Sequence, residues 1–359
     1  MYRICVFGFI VLFTGVSNSI ADERKTLVLE NDQVIAVFDL GGGALADFSF
    51  KDQRLNPLAW HHPAPNDTTP QPFGHFLCFD RLGNPSPQEK ENGMPFHGEA
   101  SKIFWHESAA AEVSNDDSGI GMKCELPLAK MSVNRFAVLS KRGPVLQVKE
   151  VFTNVNLLGR VCNILQHPSI GGLFLDEIVL VDSNAWKGFS VGNPMPMVEE
   201  PLVYWHTMVK NGSFTDLRKL VSGDNPGVES FICRKGEKFG WITACNPKKG
   251  LLIGYIWLIE DYPWIRHWRH IVDGIPQARG LEFGTTPLPL PFGDILKKHE
   301  IFGTPIFVYL DSNESIEKSF TVFLMNIPVD FRGVKSVEKT ENKIELYERE
   351  TGKVFTVTF

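Results

Sequence analysis

Short runs of alternating apolar and polar residues follow one another along most of the chain, separated by Gly, Pro, Asn and Asp. Such alternation predicts half-buried β-strands, and apolar spacing of helical period hardly occurs. Strands are predicted over residues 26–30, 33–39, 44–50, 103–113, 121–127, 131–140, 144–154, 160–166, 173–181, 229–234, 239–245, 251–259, 305–311, 319–327, 344–349 and 354–359. The pattern predicts an all-β fold: a large antiparallel β-sandwich formed by a single domain over residues 22–359.

Two long stretches do not fit this pattern. Residues 54–74 are rich in Pro, Asn, Asp and Thr, and we expect them to form a surface loop. Several prolines and scattered glycines between about 185 and 228 predict a second excursion rather than a part of a sheet. Long loops on β-scaffolds commonly line a binding face, so these stretches are candidates for contact with a ligand.

The N-terminus has the pattern of a secretory signal peptide. Arg3 precedes an apolar run from Ile4 to Val16, and Ser19-Ile20-Ala21 supplies the small residues of a cleavage site. The run is short for a membrane-spanning helix, and the rest of the sequence contains no better candidate. We therefore expect residues 1–21 to be removed and the mature protein to be exported, either to a periplasm or outside the cell, without a membrane attachment.

Charge and cysteine content argue against several classes of partner. The formal net charge of −6 disfavours nucleic acid and anionic membrane surfaces, which require a basic face. Cys5 lies in the predicted signal peptide, and the other five cysteines are widely spaced without a CxxC pair. This spacing indicates neither a zinc site nor a disulfide framework. One or two disulfides remain open, although most of the cysteines are expected to be core thiols.

Two motifs with known chemistry occur in unsuitable surroundings. Gly188-Phe189-Ser190-Val191-Gly192 matches GxSxG, but the prolines that follow oppose the helix that a nucleophile elbow requires. His267 and His270 have the spacing of metal ligands on a helix, yet they lie among arginines that would repel a cation. We expect neither a serine hydrolase nor a metal site.

A single carboxylate draws attention in the stretch from Arg279 to Pro287, where Glu282 lies among small, apolar and turn-forming residues. A buried carboxylate is either paired or has its pKa raised by desolvation, and the second arrangement produces a general base that works near neutral pH. Glu282 is therefore either a structural group bonded to Arg279 or to a turn, or a catalytic base.

Three polar residues precede Glu282 in an informative order: Arg81 in a Gly-containing loop, His97 before Gly98 and near Trp105, and His167 after an Asn-containing strand. This order resembles that of the galactose mutarotase-like superfamily, which contains the aldose 1-epimerases. The resemblance extends over nearly the whole mature chain and implies the β-sandwich of that superfamily.

The resemblance implies an isomerase that needs no cofactor. Glu282 would remove the proton of the anomeric hydroxyl while His167 protonates the ring oxygen, and the opened sugar would rotate about C1–C2 and close as the other anomer. Arg81 and His97 would hold sugar hydroxyls by hydrogen bonds. We expect Glu282 and His167 to face each other across a cleft about one sugar ring wide.

The sequence also departs from the family. Phe283-Gly284 follows Glu282 where family enzymes usually have Thr-Gln, and no residue matches the Asp that commonly holds the sugar hydroxyls. Upstream, Trp264 and Trp268 could stack on a pyranose, and neighbouring arginines could bind a carboxylate, sulfate or phosphate. The alternative is a strand edge with its indoles in the core and its basic groups solvated.

We therefore assign Glu282 and His167 as catalytic residues and Arg81, His97, Trp264, Trp268 and Arg279 as substrate-binding residues. The expected partner is a small-molecule or oligosaccharide substrate, with an acidic sugar as one option. A non-catalytic carbohydrate-binding module on the same fold is the main alternative. A glycan lyase or hydrolase is the third, although a hydrolase requires two facing carboxylates and the sequence offers one strong candidate.

Overall fold

The computed structural model describes residues 24–61, 69–110, 117–192, 203–210 and 213–359, so the predicted signal peptide lies outside the described residues. Strands dominate these ranges and helices are short. No helix within them is long and apolar enough to cross a membrane.

The strands are β1 (Thr26–Glu30), β2 (Val34–Asp39), β3 (Ala44–Phe50), β4 (His75–Phe79), β5 (His106–Ser108), β6 (Ser118–Leu126), β7 (Met131–Leu139), β8 (Val145–Asn154), β9 (Arg160–Cys162), β10 (Ile164–Gly171), β11 (Leu180–Ser183), β12 (Ala185–Val191), β13 (Val203–Tyr204), β14 (Thr207–Lys210), β15 (Ser213–Asp216), β16 (Gly227–Cys233), β17 (Phe239–Asn246), β18 (Leu251–Leu258), β19 (Trp264–Val272), β20 (Ile275–Gly284), β21 (Glu300–Ile301), β22 (Thr304–Pro305), β23 (Val308–Leu310), β24 (Ser315–Asn326), β25 (Val334–Lys339), β26 (Lys343–Glu348) and β27 (Val354–Thr358). Two short helices, α1 (Pro87–Glu91) and α2 (Phe292–Lys298), and a 3-10 turn at Gly172–Phe174 complete the described elements.

Two large antiparallel sheets form the body of the fold. A 12-stranded sheet has the order β1-β2-β3-β4-β10-β20-β19-β16-β12-β13-β14-β15, and an 8-stranded sheet has the order β11-β17-β18-β24-β8-β7-β6-β5. Smaller sheets are formed by β21-β22, β23-β9 and β25-β26-β27. The predicted all-β, antiparallel β-sandwich is confirmed.

The main hydrophobic core lies between the two large sheets. Phe283 of the 12-stranded sheet stacks on Trp257 of the 8-stranded sheet, with ring centroids 4.2 Å apart and planes at 6°. Leu281 and Tyr255 are fully buried in the same cluster. Burial of each such side chain contributes about 1.5–3 kcal/mol, so the inward faces of the central strands are fixed by packing. Phe283, the residue that follows Glu282, therefore lies on the core face of the 12-stranded sheet.

Several local predictions are confirmed. Strands β1 and β2 form a hairpin in which Asn31 Oδ1 accepts hydrogen bonds from the backbone N–H groups of Gln33 and Val34, both at 2.8 Å. The C-terminal strands β26 and β27 pair as predicted. The five cysteines among the described residues are buried free thiols. Burial raises the pKa of Cys162 to about 12, which keeps its thiol protonated and unreactive.

The prediction of an excursion over 185–228 is wrong in part, because β12 to β15 extend the 12-stranded sheet through this stretch. Three of its prolines lie within 193–202, outside the described residues, so they interrupt no described strand. Ser190 of the GxSxG match lies inside β12 and donates to Met208 Sδ at 3.4 Å. The predicted strand over 173–181 is wrong for residues 173–179, since a 3-10 turn occupies Gly172–Phe174 and β11 begins at Leu180.

Candidate active site

The candidate site lies on the outer face of the 12-stranded sheet, where β10, β20 and β19 are neighbours. Successive side chains of a strand point to opposite faces. Leu281 and Phe283 enter the core, so Glu282 projects to the other face. His167 on β10 and Arg266 on β19 project from that same face and meet Glu282. The alternation of the three central strands therefore brings these polar side chains together.

Together they form the floor of a cavity of about 580 Å³. Its walls are largely aromatic, and Glu282 is the one carboxylate among the described residues that line it. The lining residues are Trp60, His61, Leu82, Gly83, Phe96, His97, His167, Val228, Arg266, Trp268, His270 and Glu282. A largely apolar hollow of this size with a few convergent polar groups is typical of a small-molecule site.

Glu282 is 1% exposed and belongs to an ion pair. Arg266 Nη1 donates to Glu282 Oε2 at 2.6 Å, and His167 Nε2 lies 3.4 Å from Oε1. A Cβ at Gly280 would lie 2.8 Å from Oε1, so a glycine leaves the room that the carboxylate occupies. The guanidinium partner of Glu282 is Arg266 instead of Arg279, and Oε1 remains on the side of His167.

His167 lies beside this pair, where burial disfavours its charged form. Its Nδ1 lies 2.9 Å from Ser169 Oγ, and the ring stacks on Phe76 with centroids 4.4 Å apart. Burial lowers the pKa of His167; the carboxylate of Glu282 opposes this effect and the charge of Arg266 adds to it. An imidazole beside a carboxylate can carry a proton on Nε2 and release it to a bound ligand.

Glu282 and His167 contact each other directly, so they do not face each other across a ring-wide cleft as expected. The reason is that their strands β10 and β20 are hydrogen-bonded neighbours, with Gln166 opposite Phe283 in the register. Side chains on the same face of adjacent strands are close enough to interact.

His97 lines the cavity from a tight loop. Its φ is +67°, and the Gly83 N–H donates to His97 Nδ1 at 3.1 Å. Since Nδ1 accepts this bond, the proton of the neutral ring is carried by Nε2, which makes Nε2 a donor. The ring also packs 5.2 Å from that of His167, centroid to centroid.

Gly98, the next residue, permits this loop. Its φ is +78°, and a Cβ there would lie 1.9 Å from the carbonyl oxygen of Phe79. We expect Gly98→Ala to lower the melting temperature by several degrees, because the left-handed backbone alone costs about 1–2 kcal/mol and the clash adds to it. Gly93→Ala is the matched control, since Gly93 has φ +88° and a Cβ there would meet only Leu128, at 3.8 Å. Equal losses in the two variants would contradict the role of the clash.

Trp268 lines the cavity. Its ring meets Trp60 edge-on at 5.4 Å and stacks on His270 at 5.0 Å between centroids. Arg81 does not line the cavity: it donates to the Leu290 carbonyl at 2.5 Å and pairs with Glu89 of α1. Arg81 therefore connects two loops, and its assignment as a sugar contact is corrected.

Trp264 and Arg279 are also placed away from the cavity. Trp264 is fully buried in a separate cluster with Phe189, and its Nε1 donates to the Pro305 carbonyl at 2.8 Å. Arg279 projects from the core face of β20 and donates to the carbonyls of Leu217 and Arg218. Burial lowers the pKa of Arg279 to about 9. Both assignments as substrate contacts are corrected, because neither side chain reaches the cavity.

Arg266 lines the cavity but was not among the assigned residues, although it lies in the stretch singled out for its arginines. The Asp273-Gly274 sequence is typical of a hairpin turn, and it would have predicted that the strands of Arg266 and Glu282 pair. Asp273 and Gly274, with φ of 51° and 75°, do form the two-residue turn between β19 and β20. Trp60 and His61 come from the predicted 54–74 loop, of which residues 62–68 lie outside the described ranges. No periodic signal marks such loop residues.

Three buried histidines predict a steep loss of stability in acid. Burial is the largest cause that lowers the pKa of His75, His167 and His267. The unfolded chain binds these protons below pH 6.5 and the folded chain does not, so the free energy of unfolding falls as the pH falls through that value. Each histidine contributes a slope of at most about 1.4 kcal/mol per pH unit.

Urea unfolding between pH 7.5 and pH 5, approximately the range in which histidine titrates, measures this slope. His267→Phe, which keeps a ring against Trp205, should make the slope shallower, whereas exposed His106→Gln should not. Equal slopes for the wild type and His267→Phe would contradict the prediction.

No family model matches the sequence, and no curated protein matches it either. Solved structures do resemble the fold. The Slr1438 protein of Synechocystis sp. PCC 6803 has a TM-score of 0.60 at 13% identity and covers 91% of this chain and 100% of its own. A galactose mutarotase-like protein from Clostridium acetobutylicum has a TM-score of 0.60 at 12% identity, covering 85% and 96%. A candidate aldose 1-epimerase from Escherichia coli K12 has a TM-score of 0.56 at 14% identity, covering 85% and 100%. The chain has the galactose mutarotase-like fold.

Proposed function

We propose that this protein is an aldose 1-epimerase that interconverts the two anomers of a sugar, with Glu282 as base and His167 as acid. The observation that carries the proposal is the 3.4 Å contact between Glu282 Oε1 and His167 Nε2 on the floor of an aromatic-lined cavity. Solved structures with this fold include a candidate aldose 1-epimerase, which supports the same reaction class.

The contact suits this chemistry because the anomeric hydroxyl and the ring oxygen are bonded to the same carbon, C1. An acid and a base that serve both oxygens must therefore stand close together. Arg266 holds one oxygen of the carboxylate, which leaves Oε1 on the side of His167. The walls formed by Trp60, Phe96 and Trp268 offer ring faces to the apolar C–H surface of a pyranose.

The proton balance closes within the pair. With the sugar bound, His167 reacts as the imidazolium, a form that the charge of Glu282 favours. Glu282 takes the proton of the anomeric hydroxyl, the bond between C1 and the ring oxygen breaks, and that oxygen takes a proton from His167 Nε2. The product is the open-chain aldehyde beside a protonated Glu282 and a neutral His167. Rotation about C1–C2 and the reverse transfers close the ring as the other anomer, so the protein ends unchanged.

The test is to add protein from which residues 1–21 have been removed to freshly dissolved single anomers and to follow equilibration by polarimetry or NMR. Hexoses, pentoses and uronic acids should each be tried. The proposal predicts a rate above that of buffer for at least one sugar, in proportion to protein concentration. The absence of acceleration for every sugar would refute it.

A non-catalytic carbohydrate-binding protein is the second candidate, and the ion pair between Arg266 and Glu282 at 2.6 Å favours it. The guanidinium occupies one oxygen of the carboxylate, which suits a group that positions a ligand. Saturable sugar binding without any acceleration would support this candidate. Glycoside hydrolysis has less support, because the described lining of the cavity has one carboxylate rather than a facing pair.

The cellular setting is part of the proposal. The basic start, apolar run and small-residue cleavage site within residues 1–21 support export to a periplasm or beyond the cell. In such a setting the substrate would be an extracellular sugar or an oligosaccharide end. Expression of the full chain with a C-terminal tag, followed by fractionation and N-terminal sequencing, tests this; an intact Met1 on a cytoplasmic protein would contradict it.

A further inference from the structure

Arg266 has hydrogen-bonding capacity that the protein does not use. It is 6% exposed and lines the cavity. Nη1 donates to Glu282, whereas Nε is buried without a partner, and Nη2 has none among the residues that the structure describes. A buried donor without an acceptor is costly, and native proteins leave few of them. Arg81, Arg279 and Arg349 also bury an Nε without a partner, but of these four arginines only Arg266 lines the cavity, so its Nε–Nη2 edge is the one that a ligand group can meet.

Two other arginines of this chain show what that edge binds. Arg269 Nε and Nη2 donate to the two carboxylate oxygens of Glu229 at 3.2 and 2.7 Å. Arg218 Nε and Nη2 donate to the two oxygens of Asp182 at 2.6 and 3.1 Å. The planar fork matches a carboxylate in both cases. Arg266 has the same fork. Its Nη1 donates to Glu282, and no carboxylate of the described residues binds its Nε and Nη2.

The balance of donors and acceptors around the cavity points the same way. Its described lining contains no Asp, Asn or Gln, and Glu282 is its single carboxylate. A neutral sugar presents many hydroxyl protons, and Glu282 is the one charged acceptor that the described lining offers them. A ligand that carries acceptor oxygens, such as a carboxylate, matches the lining better than a neutral sugar does.

We propose that the substrate is a hexuronic acid, free or at the end of an oligosaccharide, whose carboxylate binds the Nε–Nη2 edge of Arg266. This inference rests on the proposed function for the reaction, and it adds the chemical class of the sugar. Binding has a consequence for the base. The guanidinium shares its charge between the substrate carboxylate and Glu282, which loosens its hold on Glu282 when the sugar is in place.

The experiment measures binding and turnover separately. Binding of D-glucuronate, D-galacturonate, D-glucose, D-galactose and glucose 6-sulfate is followed by calorimetry, and anomer equilibration of the same sugars by NMR. We expect a uronate to bind roughly 10- to 100-fold more tightly than the matching neutral hexose, the effect of a charge-assisted bidentate contact. Equal binding of uronate and hexose would overturn the inference, and so would a preference for the sulfate ester.

Variants assign the preference to Arg266. Arg266→Lys keeps a cation beside Glu282 but lacks the planar fork, so the preference for uronate should fall by about tenfold. The double variant Arg266→Met with Glu282→Gln leaves no unpaired charge and should lose the preference entirely while it still binds sugar. Lys149→Met, which removes an exposed cation on the other sheet, should keep it. A preference that survives in the double variant would overturn the inference.

The two proposals fail in different ways. A uronate preference without anomer equilibration would retain the carboxylate subsite and refute the epimerase. Rapid equilibration of neutral hexoses without a uronate preference would retain the epimerase and refute the carboxylate subsite.

Discussion

Replacing Glu282 with Gln is expected to reduce the protein-catalysed rate of anomer equilibration by about 10²- to 10⁴-fold, the usual contribution of a general base. The amide cannot accept the proton of the anomeric hydroxyl. It has the same shape as the carboxylate, and its oxygen can still accept a hydrogen bond from Arg266 Nη1, which lies 2.6 Å from Oε2 in the wild type. Sugar binding should therefore persist while turnover is lost.

Glu89→Gln is the matched control, because Glu89 pairs with Arg81 away from the cavity. Rates come from NMR exchange or polarimetry at saturating sugar, and affinities from calorimetry. A change in the KM without a change in kcat for Glu282→Gln would show that the carboxylate binds sugar but does not act as the base. A variant that keeps most of the wild-type kcat would remove Glu282 from the mechanism.

Arg266→Met is expected to destabilise the folded protein by about 3–5 kcal/mol, the cost of breaking a buried ion pair from one side. Arg266 and Glu282 are 6% and 1% exposed, so the remaining carboxylate cannot be solvated without opening the cavity floor. Urea unfolding at pH 7.5 measures the difference in the free energy of unfolding.

Adding Glu282→Gln to Arg266→Met should restore much of this stability, because a neutral amide needs no counter-ion. Lys149→Met is the control for a pair on the surface: Lys149 and Glu317 are 50% and 58% exposed, and such pairs contribute less than about 1 kcal/mol. If the double variant were no more stable than Arg266→Met, the loss would come from the packing of the Arg266 side chain and not from the unpaired charge.

The sequence was most informative where structure is local. Alternation of apolar and polar residues predicted most strands of the 8-stranded sheet, since the side chains of a strand alternate between its two faces. It did not predict the strands over 75–79, 264–272 and 275–284 of the 12-stranded sheet, and the last two carry Arg266 and Glu282. The turn at Asn31 and the C-terminal hairpin followed from nearby residues. His97, His167 and Glu282, which were singled out by their order along the chain, line one cavity.

Assignments failed where a residue's environment depends on distant parts of the chain. Trp264 and Arg279 are residue types that often bind ligands. In this protein Trp264 is buried in a separate hydrophobic cluster, and Arg279 is buried on the core face of β20. Arg81 is occupied by Glu89 and by the Leu290 carbonyl, which lies 209 positions away in sequence. Neither composition nor spacing states which partner a long polar side chain meets.

The sequence by itself determined an antiparallel β-sandwich and a carboxylate that had to be either paired or functional. The tertiary structure decided its partner. A regular hairpin from the Asp273-Gly274 turn would place Arg266 opposite Leu281, but an irregularity beyond His270 shifts the register and places Arg266 opposite Glu282. Because directly opposed residues share a face and a one-residue slip exchanges the faces, that shift puts the guanidinium and the carboxylate in one cavity.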